Sequence, residues 1–276
     1  MAKQETLIGK HPLAPNIFGK WLTPVDYPES ESQCHRSLTE ITTLNEGELM
    51  EWVSNKVIEY HYSDSRLEKL KEMYGSLGFT EYAENYRMIP NNEDVRKGNM
   101  TEIILCEYVT NTKNKQLLKT FRFRYSTNVD QSMKGDDVLM VDYDEKVENI
   151  QIFLGEAKFR QSPTPQSVRD ITSSLSKDTK PLSIPFLVER LIESEKTREV
   201  GEKLDQYIVE VVKRQEQLTY TGLLLSNTNT SQKVQDNLDS DNPKLVFISL
   251  GITDPTSFMQ KVFALVEKKL ASPKTI

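Results

Sequence analysis

Cysteine, histidine and long apolar runs are all scarce in this sequence. Its two cysteines are Cys34 and Cys106, and it has three histidines. Two cysteines supply neither a disulfide framework nor a cysteine zinc cluster, and the histidines form no spaced pair on a helix, so zinc chemistry is not expected. Apolar runs stay short of the ~18 residues of a membrane helix, and the first residues lack the apolar centre of a signal peptide. We therefore expect a cytoplasmic protein without a membrane segment.

Several common catalytic signatures are also missing. The sequence contains no GxxxxGK[ST] loop, no GxGxxG after a strand, no GxSxG and no HExxH. These patterns are typical of ATP hydrolysis, dinucleotide redox chemistry, serine hydrolysis and zinc proteolysis, respectively. The sequence therefore argues against all four classes of enzyme.

The overall charge is acidic. The 276 residues carry a formal net charge of −6, and 37% of them are hydrophobic, which is ordinary for a globular protein of one large domain or two small ones. A net negative charge argues against a protein that coats nucleic acid through bulk charge. It is compatible with metal binding through carboxylates.

One segment departs from this acidic balance. Residues 113–134 contain six basic residues and one acidic residue, Asp130, a segment charge of +5. A basic strip of this kind either contacts DNA phosphates or is a solvated strand face. The residues predicted to bind DNA are Arg122, Arg124 and Lys134 in the strip, and Arg160 and Arg169 further along the chain.

The spacing of apolar residues predicts an α/β fold with one mixed sheet. Residues 1–45 are expected to be loop with one short strand, followed by helices over Leu49–Tyr60 and Ser65–Tyr74. A helix over Met100–Val109 is apolar on most sides, which indicates burial against a sheet, and Thr120–Tyr125 alternates as a half-buried strand does. The elements predicted after these are a hairpin of Asp137–Asp142 with Ile150–Arg160, a helix at Gln166–Leu175, one or two helices in Leu187–Arg214, strands at Tyr220–Leu225 and Leu245–Leu250 with a surface segment between them, and a helix at Phe258–Leu270.

The candidate chemistry lies at one end of the predicted hairpin. Glu156 and Lys158 follow the apolar run Ile150–Leu154, and residues i and i+2 of a strand project from the same face. Asp137 opens the neighbouring strand, so antiparallel pairing brings its carboxylate towards Glu156. Two carboxylates, a backbone carbonyl and water suit Mg²⁺, and Lys158 is placed to orient the attacking water and to offset charge on a phosphate. An ordinary cross-strand ion pair is the alternative interpretation.

The helix upstream offers a third acid. Glu102 shares a helical face with Leu105 and Val109, so it is expected to point towards the sheet. It also fits a capping box with Asn99, which would make it structural. Glu107, on the opposite flank of the same helix, is the rival acid.

Three segments carry a resemblance to a known family. In order they are RKGNMTEIILCEYV with Glu102, KGDDVLMV with Asp137, and IFLGEAKFR with Glu156 and Lys158. Their order and context resemble the core of the PD-(D/E)xK nucleases. The wider pattern, over roughly residues 45–270, is similar to the HamA family, the nuclease subunit of the bacterial Hachiman anti-phage defence system. The family's Pro-Asp pair is here Gly135-Asp136-Asp137, and we choose Asp137 over Asp136 because the apolar strand begins directly after it.

The resemblance implies a fold, an activity and a partner. The fold is a restriction-endonuclease-like mixed central sheet flanked by helices over residues 96–276, with a loop-rich and mostly helical extension over residues 1–95. The activity is Mg²⁺- or Mn²⁺-dependent DNA cleavage, in which Asp137, Glu156 and Glu102 hold the metal and Lys158 completes the catalytic set. The partner is a HamB-like helicase that restrains the nuclease. The alternative is a non-catalytic adaptor that keeps the fold and only binds a helicase or DNA.

Overall fold

Helices and strands occur together throughout the described part of the chain. A computed structural model describes residues 2–41, 46–69, 89–144, 149–214 and 217–271. The strands are β1 (Leu22–Asp26), β2 (His35–Glu40), β3 (Leu118–Lys119), β4 (Val138–Asp144), β5 (Asn149–Phe159), β6 (Leu218–Ser226) and β7 (Leu245–Gly251). The helices are α1 (Lys3–Ile8), α2 (Ile17–Trp21), α3 (Glu46–His61), α4 (Glu93–Lys113), α5 (Pro165–Ser174), α6 (Ile184–Ile192), α7 (Arg198–Arg214), α8 (Thr230–Asn237) and α9 (Pro255–Ala271), and Arg122–Tyr125 forms a 3-10 turn.

The strands form one mixed sheet in the order β1-β2-β7-β6-β5-β4-β3. The central strands β2, β7, β6 and β5 run parallel, and the pairs β1–β2, β5–β4 and β4–β3 are antiparallel. Every residue of β6 and β7 is buried, as expected for parallel strands that are covered on both faces. The β4–β5 hairpin therefore joins the parallel centre of the sheet to its antiparallel edge.

Two apolar cores cover the two faces of the sheet. Residues of α3, α4 and α9 pack on one face together with Ala157 and Phe159 of β5. Residues of α5, α6 and α8 pack on the other face together with Ile152 and Leu154. Because side chains alternate along a strand, Glu156 lies on the face of α5 and α6, whereas Glu102 approaches from the face of α4.

Most of the predicted elements are confirmed. The hairpin is present as β4 and β5, the buried helix as α4, and the two later strands as β6 and β7. The region Leu187–Arg214 divides into the end of α6 and all of α7, and α8 occupies part of the segment between β6 and β7. Residues 64–69 are helical, and the remainder of the second predicted helix lies outside the described residues. None of the helices in the described part of the chain is both long and apolar enough to span a membrane.

Two predictions from periodicity are wrong. Thr120–Tyr125 is not a strand, because Phe121 adopts a left-handed backbone with φ of 43° and Arg122–Tyr125 forms a 3-10 turn. Within residues 1–45, the described part, residues 2–41, contains two helices and two strands in place of a loop with one strand. The strand β2 pairs in parallel with β7, more than 200 residues away in the chain. The division at residue 95 stays a prediction, and β1 and β2 lie in the same sheet as the later strands.

Candidate active site

The β4–β5 pairing places Asp137 beside Glu156. Val138 pairs with Gly155, so the next antiparallel position pairs Asp137 with Glu156. The Oδ2 atom of Asp137 accepts a hydrogen bond from the backbone N–H of Ala157 at 3.0 Å, which fixes the aspartate at the end of the strand. The predicted juxtaposition of Asp137 and Glu156 is thus present in the structure.

Lys158 lies on the same face of β5 as Glu156. Its Nζ donates to Glu156 Oε1 at 2.9 Å, and the two side chains are 23% and 21% exposed, so both reach solvent. Burial raises the pKa of the Glu156 carboxyl, the negative charge of Asp137 raises it further, and Lys158 acts in the opposite direction. The site therefore holds two mutually repelling carboxylates with an ammonium group beside them.

Glu102 joins this pair through Arg122. The Nη2 of Arg122 lies 2.6 Å from Glu102 Oε2 and 3.3 Å from Asp137 Oδ1. Burial raises the pKa of Glu102 to about 8 although Arg122 acts in the opposite direction, and Asp137 and Glu156 add to the rise. Glu102 and Asp137 thus meet at Arg122, and Asp137 in turn adjoins Glu156 with its partner Lys158.

Glu107 lies in a different cluster. It is 3% exposed and accepts from Tyr60 Oη at 2.8 Å and from Lys119 Nζ at 2.5 Å, with Lys56 Nζ at 3.4 Å. Burial raises the pKa of Glu107, but Lys119 and the other donors lower it more, so the net shift is downward. Of the two candidate acids on α4, Glu102 is the one that adjoins Asp137.

Asp136 is engaged away from the cluster. Its Oδ2 accepts from the backbone N–H of Ser183 at 2.7 Å, and its own N–H donates to Ser183 Oγ at 3.0 Å. Ser183 precedes α6, so Asp136 ties the loop before β4 to the start of that helix. The two adjacent aspartates therefore have different partners, Ser183 for Asp136 and Ala157 with Arg122 for Asp137.

The basic residues predicted to bind DNA lie in two kinds of environment. Arg122 is 8% exposed and is bound to Glu102, and Arg124 donates to the Glu59 carbonyl at 2.6 Å while its guanidinium stacks on Phe121. The remaining three, Lys134, Arg160 and Arg169, are exposed. Arg169 belongs to α5, which packs on the face of the sheet that carries Glu156 and Lys158.

The carboxylates of Asp137 and Glu156 suit a Mg²⁺ ion that keeps several of its water ligands. Within the described residues, no three His, Cys, Asp or Glu side chains are arranged as a metal-binding group. Asp137 and Glu156 occupy paired positions on adjacent strands, and the charge of Asp137 helps to raise the pKa of Glu156. Mg²⁺ takes one or two carboxylates and keeps several waters, so this pair matches its preference without a third protein carboxylate.

Sequence reasoning missed the position of Arg122 and the partner of Asp136. Alternation of arginine with aromatic residues indicated a strand, whereas each of these side chains has its own tertiary partner. The proximity of Ser183 to Asp136 crosses 47 residues of chain and has no local signal. The role of Arg122 could have been predicted from the expected burial of Glu102, because a buried carboxylate needs a cation beside it.

Known proteins match this chain over nearly its whole length. The HamA family model matches residues 15–266. The chain is also similar to a Hachiman protein HamA of Bacillus cereus, with 36% identity over 275 residues that cover 98% of this chain and 97% of that relative. Both matches include the segments with Glu102, Asp137, Glu156 and Lys158. The chain therefore belongs to the HamA family.

Proposed function

We propose that this protein is a Mg²⁺- or Mn²⁺-dependent deoxyribonuclease of the PD-(D/E)xK type with a restriction-endonuclease-like core. The observation that carries the proposal is the cluster of Asp137, Glu156 and Lys158 at the end of the β4–β5 hairpin. A pure adaptor has no chemical need for two apposed carboxylates with a lysine on the same strand. Membership of the HamA family supports the same activity.

In this proposal each side chain has a distinct task. Asp137 and Glu156 would hold the divalent ion, which supplies an activated water and charge stabilisation at the phosphate. The ammonium group of Lys158, held at 2.9 Å by Glu156, orients the attacking water and offsets negative charge on the phosphate. Glu102 is kept beside Asp137 by Arg122, where it shapes the charge of the site.

DNA binding is proposed for the exposed basic residues. Lys134, Arg160 and Arg169 are solvent-exposed, whereas Arg122 and Arg124 are engaged within the protein. Neutralising any one of the three exposed side chains should weaken DNA binding and reduce its dependence on salt concentration. The substrate therefore approaches over the face of the sheet that carries α5.

Cleavage of supercoiled plasmid tests the activity directly. The purified protein, alone and with its partner, is incubated with plasmid in Mg²⁺, in Mn²⁺ and in EDTA. Glu156→Gln and Lys158→Met should each reduce the rate by on the order of 100-fold or more, because each removes one preorganised charged group. Their unfolding free energies should change by less than ~1 kcal/mol, since this ion pair is partly exposed.

The final helix supplies a matched control. Glu267 and Lys269 repeat the Glu-x-Lys tripeptide on α9, where Glu267 pairs with Arg96 at 2.5 Å far from the hairpin in sequence. Glu267→Gln should cleave at the wild-type rate. A folded Lys158→Met protein that cleaves at the wild-type rate would refute the assignment of nuclease activity to this site. Absence of cleavage by the wild type in Mg²⁺ and in Mn²⁺, alone and with its partner, would leave the adaptor alternative.

We propose that the biological role is anti-phage defence in the bacterial cytoplasm, under the control of a helicase subunit. The support is the near full-length similarity to a Hachiman protein. Co-expression with a neighbouring helicase gene should give one size-exclusion peak that contains both proteins, with plasmid cleavage held low. Two separate peaks at micromolar concentration would contradict the partner assignment.

A further inference from the structure

The guanidinium of Arg122 fills the space between two carboxylates of the candidate site. Its Nε and Nη2 both donate to Glu102 Oε2, at 3.1 and 2.6 Å, and Nη2 also lies 3.3 Å from Asp137 Oδ1. The third nitrogen, Nη1, contacts the Met133 carbonyl at 3.5 Å. The side chain is 10% exposed. One buried cation therefore bridges acids from two different elements, α4 and the start of β4.

The contact with Asp137 involves the oxygen that a metal ion would need. Asp137 Oδ2 is occupied by the backbone N–H of Ala157, which leaves Oδ1 as the oxygen without a backbone donor. That oxygen faces Arg122 Nη2. A divalent ion bound to Oδ1 would lie within a few ångströms of a positive charge, and like charges at that distance repel strongly in a partly buried site.

A purely structural ion pair on the same helix provides a comparison. Glu107 of α4 is paired with the buried Lys119, and its other contacts are Tyr60 and Lys56. That cluster contains a single carboxylate in direct contact with Lys119. The Arg122 pair differs because its cation also reaches a carboxylate of the candidate site.

We propose that Arg122 is a positioning residue that occupies the cation position of Asp137 in the metal-free protein and must release Oδ1 when a divalent ion binds. This inference rests on the proposed metal-dependent function. It adds that Arg122 competes with the divalent ion for Asp137 and thereby sets the metal affinity. Arg122 remains anchored through its two bonds to Glu102 when the longer contact to Asp137 opens. Any partner or substrate that draws the guanidinium away from Asp137 would strengthen metal binding.

Binding of Mn²⁺ alone, measured by titration calorimetry and by the Mn²⁺ electron paramagnetic resonance signal without DNA, tests the competition. Arg122→Gln should bind Mn²⁺ at least about tenfold more tightly than the wild type. An adjacent arginine lowers the proton affinity of an aspartate by about one to three pKa units, and the same repulsion acts on a divalent ion. Arg122→Lys keeps the positive charge and should stay within about threefold of the wild type. Lys119→Gln, the matched control on the other pair, should bind as the wild type does.

A double variant keeps the test decisive if Arg122→Gln does not fold. Glu102→Gln with Arg122→Gln removes both buried charges, so it leaves no unpaired carboxylate. It should bind Mn²⁺ as tightly as Arg122→Gln is expected to, since Asp137 and Glu156 remain. Weaker binding than the wild type in that double variant would make Glu102 a ligand and overturn the proposal.

The remaining outcomes separate this inference from the proposed function. Measurable Mn²⁺ binding in the wild type with no gain in affinity in Arg122→Gln would refute the competition between Arg122 and the metal for Asp137. The proposed metal site would remain. Absence of Mn²⁺ binding in the wild type, in Arg122→Gln and in the double variant would overturn both the competition and the metal-dependent function.

Discussion

Lowering the pH from 7.5 to 5.0 should destabilise this protein through His61. The imidazole is 1% exposed at the end of α3 and stacks on Phe123 with ring centroids 5.0 Å apart. Its Nδ1 lies 2.7 Å from the Val57 carbonyl, an acceptor, so Nδ1 carries the proton and Nε2 accepts from the amide of Asn99 at 3.1 Å. Both nitrogens are satisfied in the neutral ring, and a second proton on Nε2 would face a donor.

The size of this loss of unfolding free energy follows from the pKa of the His61 ring. Burial lowers the pKa of His61 from 6.5 to about 4, although the bond to Val57 acts in the opposite direction. A lowered pKa means that the stabilisation is present above pH 6.5 and is lost as the pH falls towards 4. At pH 5.0 about 97% of unfolded chains and about a tenth of folded chains carry the proton, which corresponds to a loss of about 2 kcal/mol.

Urea unfolding at the two pH values, followed by circular dichroism, measures this loss. His61→Gln is the informative variant, because its amide can donate to Val57 and accept from Asn99 without titrating. The drop in unfolding free energy between pH 7.5 and 5.0 should be about 2 kcal/mol larger in the wild type than in His61→Gln. The other titrating groups, including His11 and His35, are common to both proteins and cancel in the comparison. An equal drop in the two proteins would refute the assignment of a buried neutral His61.

Other substitutions test the packing around the site. Gly155→Ala should cost about 1–3 kcal/mol in thermal unfolding, because a Cβ there would lie 2.9 Å from the Cβ of Val138, the residue that follows Asp137. Gly98→Ala should instead stabilise the protein by about 0.5–1 kcal/mol, since it lies within α4 and its Cβ would meet nothing within 4 Å. Asp136→Ala should cost about 1–2 kcal/mol through loss of the hydrogen bond that its Oδ2 accepts from the Ser183 N–H, while Mn²⁺ affinity stays within about twofold; an affinity loss as large as that of Asp137→Asn would contradict the separate roles of the two aspartates.

The hairpin and its acids were predictable because their signal is local. Alternation and an apolar run identify β4 and β5, and the two-residue period of a strand places Glu156 and Lys158 on one face whatever the rest of the fold does. The pairing of Asp137 with Glu156 then follows because the two strands are close together in the sequence and pair antiparallel. The positions of these residues could therefore be predicted without information from distant parts of the chain.

The two wrong predictions have the same physical cause. In both segments, contacts with residues distant in the sequence determine the local structure. The strand β2 begins with His35, Arg36 and Ser37, which are polar yet buried because Gln235, Asp26 and β7 receive them, so no apolar run marks the strand. The segment around Arg122 mimics strand alternation. Its arginines bind Glu102 and the Glu59 carbonyl, which turns the backbone into a 3-10 turn.

Both edges of the sheet are poor templates for a further strand. The edge strand β1 carries Pro24, which has no backbone N–H to donate, and β3 consists of two residues, of which Lys119 is held against Glu107. A protein partner therefore has little opportunity to dock by strand addition, and edge-to-edge pairing between copies of the chain is disfavoured. Recognition between subunits would then depend on side chains of helices and loops, so single surface substitutions there should be able to separate complex formation from folding.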